Sequence, residues 1–139
     1  MKVKIQNQKI SETINFLFDI PLKGKQSRHR TKFINELSDT LKEVAKEEYE
    51  IRREHCNLDE EGNPKKIEND TKWDIKDLDA YSKDIKEFLE EERTFTGGNV
   101  TGVLKTVKDI LLNYDGELSN QRAVLYDYLC DQFEQQEEE

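Results

Sequence analysis

The chain has 139 residues, 38% of them charged and 34% hydrophobic, with a mean hydropathy of −0.97 and a formal net charge of −9. That length suits one domain with one core, and a charge content well above the usual quarter requires much solvated helix surface. No apolar run approaches the roughly 20 residues of a membrane span, no apolar signal region follows the basic start at residues 1–8, and two prolines and six glycines argue against a collagen-like or low-complexity chain.

In chain order, Ile10, Ile14, Leu17 and Phe18 fall at steps of three and four. This spacing predicts a helix that starts near Asn7 and stops before Pro21, because the residue preceding proline avoids the α region. Lys23-Gly24-Lys25 reads as a turn. Ser27 is a good N-cap for a long helix running to about His55, some 28 residues and roughly 42 Å. Its stripe is Ile34, Leu37, Leu41, Val44, Glu48 and Ile51, a heptad-like seam with one polar interruption.

Residues 57–64, NLDEEGNP, are turn chemistry. Residues 65–76 depart from the helical period, and Trp73-Asp74-Ile75 alternates like a strand. A small β-hairpin pairing 65–68 with 72–76 is expected, with Trp73 as its anchor. Asp77 or Asp79 caps a third helix carrying Leu78, Tyr81, Ile85, Phe88 and Leu89, which ends at the Gly97-Gly98 pair. Asn99 or Thr101 caps a fourth helix with Val103, Leu104, Val107, Ile110 and Leu111. Ser119 caps a fifth with Val124, Leu125, Tyr128, Leu129 and Phe133, antiparallel to the fourth across a short turn. The expected fold is mainly α: about five helices in a bundle, one of them long (about 27–55), with a small hairpin near 65–76. Residues 1–133 form a single helical domain in this reading, and residues 134–139, EQQEEE, an acidic disordered tail.

Charge is unevenly distributed. Residues 1–32 hold eight basic and two acidic side chains, whereas residues 33–139 hold 14 basic and 29 acidic. The positive charge peaks in Lys23, Lys25, Arg28, Arg30 and Lys32, a window without an acid. Cations in the first turns of a helix oppose its dipole, so this window breaks a local rule and is the best candidate binding segment. Asp19 and Glu36 are the acids placed to neutralise part of it. The bland reading is a segment that faces water or the protein's own acids; the functional one is contact with phosphate or an acidic partner. A net charge of −9 and the lack of exposed-looking aromatics beside these cations argue against nucleic acid.

Catalytic constellations are few. Cys56 and Cys130 are the only cysteines and read as free thiols. Neighbours on a helix point about 100° apart, so His55 and Cys56 do not make a nucleophilic pair by themselves. No C-x-x-C or H-x-x-x-H spacing marks a zinc site. Carboxylate pairs are too abundant for any one of them to be informative, and DEEGN at 59–63 lacks the ligand alternation of a calcium loop. No catalytic residue, cofactor or metal ligand is assigned.

The segments KGKQSRHRTKFINEL (23–37), LDEEGNPK (58–65) and YDGELSN with AVLYDYLCDQFE (within 114–134) resemble a family of small uncharacterised proteins of phages and prophages of Gram-positive bacteria. The resemblance implies expression in the cytoplasm of a bacterial host, with the virion as the alternative place. The family carries no established activity, and the function expected is non-enzymatic: an accessory protein that binds a host or phage protein, for example to inhibit a host defence or regulatory factor, since a small acidic helical protein suits basic surfaces. The alternatives are a virion or tail-assembly component that self-associates through the long helix, and nucleic-acid binding through residues 23–32.

Overall fold

The computed structural model of the protein describes residues 1–135. It is 61% helical, with five helices, one of them long, and two small antiparallel sheets, so the expected mainly α architecture holds. The elements are β1 (Val3–Gln6), α1 (Ile10–Phe18), α2 (Gly24–His55), β2 (Lys66–Ile67), β3 (Lys72–Trp73), α3 (Leu78–Glu90), β4 (Glu92–Phe95), α4 (Val103–Leu112) and α5 (Asn120–Glu134). The chain packs as two compact units, one from Met1–Leu41 with Glu92–Glu139 and one from Lys42–Glu91. No helix among the described residues is long and apolar enough to cross a membrane.

In the first unit, β1 pairs antiparallel with β4, with Val3 opposite Phe95 and Ile5 opposite Arg93. Val3 and Ile5 are buried while Lys4 is exposed, the period of two expected of a half-buried strand. The other edge of β1 is closed by α5: the Gln6 N–H donates to the Tyr128 hydroxyl at 2.9 Å, and the Gln132 amide donates to the Lys4 carbonyl at 2.7 Å. β1 lies outside the expected elements, and β4 takes the place of the last residues of the expected third helix. The first helix begins at Ile10 rather than near Asn7, after a 3-10 turn at Asn7–Lys9, and the third ends at Glu90 because the chain turns into β4.

Phe33 of α2 is fully buried and meets Phe95 and Phe133 edge-on, each with ring centroids 5.9 Å apart. These three rings tie α2, β4 and α5 into one core, which Phe16, Leu17, Leu104, Val107, Leu111 and Leu129 fill. Tyr126 of α5 donates to the carbonyl of Leu111 of α4, holding the α4–α5 hairpin together. Gly102, at φ +86°, caps α4 in place of the expected Asn99 or Thr101. Ser119 takes the N-cap position of α5, as the sequence predicts.

In the second unit, α2 from residue 42 onward leads into a short meander. β2 and β3 pair as a hairpin, with Lys66 opposite Trp73, inside the expected 65–76. Single bridges join Cys56 to Ile75 and Leu58 to Pro64. Arg52 and Lys66 place their cations 4.6 and 4.5 Å from the centre of the half-buried Trp73 ring, so cation–π contact with Arg52 joins the hairpin to α2. The Asp77 carboxylate accepts from the Ala80 N–H at 3.2 Å and caps α3. α5 runs through Glu134, one residue into the segment expected to be disordered; residues 136–139 lie outside the described residues.

Candidate functional site: the basic end of the long helix

α2 begins three residues earlier than Ser27 predicts. Gly24 opens it at φ +54°, a left-handed conformation in which glycine carries no steric penalty. The first turn contains no acidic residue, whereas the last turn holds Arg52, Arg53 and His55, where cations suit the dipole. The unfavourable arrangement is therefore confined to one end of the helix.

The rotation of α2 about its axis is fixed by His29, which is buried. The Thr106 hydroxyl donates to the Gly102 carbonyl at 3.0 Å, so towards His29 Nδ1, 2.8 Å away, it acts as acceptor, and Nδ1 carries the proton. His29, Phe33 and Leu37 form the inward stripe at steps of four. Lys25, Arg28 and Lys32 then share the outward face at steps of three and four, and all three are exposed, as is Lys23 just before the helix. Seven residues of helix span about 10 Å, comparable to the screening length at physiological salt, so these cations act as one patch.

Arg30 behaves differently. It is half-buried, and its guanidinium donates to the carbonyls of Leu17, Phe18 and Ile20, closing the C-terminal end of α1. This binds α1 to α2 and takes Arg30 out of the solvent-facing set.

The two acids placed in sequence to neutralise the window are engaged elsewhere. The Glu36 carboxylate accepts from the backbone N–H groups of Thr96 and Gly97, at 3.1 and 2.9 Å, fixing the turn after β4. Asp19 pairs with Arg122 at 3.2 Å. Among the described residues, Lys23, Lys25, Arg28 and Lys32 form no ion pair.

Beside the patch lies a cleft of about 330 Å³ between the segment before α2 and the end of α4, lined by Ile20, Pro21, Leu22, Ile110 and Tyr114 among others. A Cβ at Gly116 would overlap the Tyr114 phenol, so glycine there allows the ring to lie along the cleft wall. Gln26, Asn113 and Asp115 also line it, so the chain presents a slot with apolar walls and a polar edge, adjacent in sequence to Lys23 and Lys25. Phe18, on the expected inward stripe of α1, is instead 72% exposed at the end of that helix.

The titratable groups elsewhere are placed as follows. Cys56 is buried and its thiol is pushed up, first by burial and then by Asp74, with Arg52 and Lys76 opposing. Cys130, half-buried, is also raised chiefly by burial. Both thiols are free and favour the protonated, weakly nucleophilic form. His55 Nε2 lies 2.8 Å from Asp84 Oδ2, with Glu54 close by. No family model, curated protein or solved structure matches the chain.

Proposed function

We propose that the protein is a non-enzymatic binding module of phage or prophage type, and that it engages an acidic segment of a protein partner through the exposed face of α2 carrying Lys25, Arg28 and Lys32, with Lys23 beside it. The observation that carries this reading is the commitment of Glu36 and Asp19 to other groups, which leaves a fixed cluster of cations facing solvent. Like charges held together against a helix dipole cost stability, and an acidic partner converts that cost into binding energy. The cleft beside Lys23 adds a slot for one apolar side chain of the same partner, giving an anchor that charge alone lacks. A host regulatory or defence protein, or another phage protein, fits this description.

Exposed Phe18 offers a stacking surface, which favours a second reading, single-stranded nucleic acid. The test combines Lys25→Glu and Arg28→Glu in one variant. The expected result is that a partner captured by the wild-type chain is lost by at least about tenfold while the urea midpoint changes little, and that neither protein shifts single- or double-stranded DNA at physiological salt. A salt-sensitive DNA shift, with a log–log slope near −3 for three phosphates on duplex, removes the protein-partner reading.

A further inference from the structure

We propose that Glu54, His55 and Asp84 form a binding site for a divalent transition-metal ion, zinc being the best match. The donor atoms of these three residues lie within 4.8 Å of one another. The tightest pair, His55 Nε2 and Asp84 Oδ2 at 2.8 Å, is close to the spacing of two neighbouring ligands on one ion. Bonds of about 2.0–2.1 Å place adjacent ligands roughly 3.0–3.4 Å apart. The pair therefore has to open by only a few tenths of an ångström, and Glu54, whose side chain is exposed, closes the third position by rotation.

The donor set is one imidazole and two carboxylates, which suits zinc and its first-row neighbours; an all-oxygen set would suit magnesium or calcium. The ion would take the place of the proton shared between Nε2 and Oδ2.

The surroundings position His55 and Asp84 without supplying a competing cation at the same atoms. His55 ends α2, where the carbonyl end of the dipole favours positive charge. Its carbonyl accepts from the Lys76 N–H at 2.9 Å, and Tyr81 lies edge-on to its ring with centroids 5.6 Å apart. Tyr81 and Asp84 are three residues apart on α3, so the helix that supplies the carboxylate also orients the imidazole. The neighbouring arginines are turned away: Arg52 lies over Trp73, and Arg53 donates to the Gly62 carbonyl at 2.9 Å. Three protein ligands leave at least one position open to water or to a partner's side chain. The sequence hides this arrangement because Asp84 stands 29 positions after His55.

The test uses the full chain without a histidine tag, stripped by chelator. Titration calorimetry with zinc alone is expected to show one site per chain, and the thermal midpoint is expected to rise with zinc and stay unchanged with magnesium. Asp84→Asn and His55→Gln should each lower zinc affinity by at least about tenfold, the loss typical even of outer-shell changes. Glu54→Gln, on an exposed side chain, keeps the fold and should weaken binding as well. Cobalt added to the stripped protein should give a visible absorption band that Glu54→Gln alters. Absence of a zinc-dependent shift in the wild-type chain overturns the proposal, as does zinc binding that survives Glu54→Gln and Asp84→Asn unchanged.

Discussion

Two cations two positions apart, Arg28 and Arg30, face different environments. Arg30 adds charge-assisted hydrogen bonds to the carbonyls of Leu17, which also accepts from the Ile20 N–H, and of Ile20 as the chain turns towards Pro21. Arg30→Ala should therefore destabilise the fold by about 1.5–3 kcal/mol, the range for hydrogen bonds to a charged group, read as a lower urea midpoint. Arg28→Ala, on the exposed face, should change stability by less than about 0.5 kcal/mol. Tyr126 offers a pH-dependent test. Burial, then the contact with Cys130, pushes its phenol from 10.0 up to about 12. Its folded-state value lies above the unfolded one, so its contribution is complete below pH 10 and is lost as the pH rises towards 12. Stability measured by urea unfolding should fall across that window, and Tyr126→Phe should flatten the decline. An unchanged alkaline slope in Tyr126→Phe would show that other groups dominate it.

At the scale of elements, the core depends on the meeting of α2, β4 and α5 at Phe33. Phe33→Ala removes both edge-on ring contacts from a fully buried site and should cost about 3–5 kcal/mol in urea unfolding. A loss below about 1 kcal/mol would show that the three-ring cluster does not hold these elements. Helices were legible in sequence because their apolar residues repeat every three or four positions over ten or more residues. β1 was not, because four residues, VKIQ, carry only two apolar positions, and the partner strand lies more than 80 residues away. β4, ERTF, continues directly from a helical stripe and shows little alternation of its own. The hairpin was legible because Trp73-Asp74-Ile75 breaks the helical period between two turn-forming segments. Of the basic window, composition showed the charge; only packing showed that His29 and Arg30 point into the fold while Lys25, Arg28 and Lys32 point out. Glu36 looked like a local counter-ion because it is four residues from Lys32, and its actual partners, the N–H groups of Thr96 and Gly97, are 60 residues on.

At the scale of the molecule, the charge separates by unit. Residues 42–91 carry ten basic and 17 acidic side chains, whereas the remaining residues carry 12 and 14 and are close to neutral. The basic face thus belongs to the unit with little net charge of its own to repel an acidic partner. Part of the apolar seam of α2 is used within the chain: Leu37 and Val44 are buried, while Ile34, Leu41 and Ile51 are half-buried. Sedimentation at two concentrations should accordingly show a monomer at both; a concentration-dependent dimer would favour self-association through α2 and an assembly role. α5 offers an acidic surface, with Asp127, Asp131 and Glu134 exposed. The most direct test of binding through the basic face is site-specific photo-crosslinking in a lysate of a Gram-positive bacterium, with the cross-linker at position 28 of α2 or at position 131 of α5. The account predicts an adduct from position 28, mapped to an acidic stretch of one partner protein and abolished by Lys25→Glu with Lys32→Glu. An adduct from position 131 alone would contradict it.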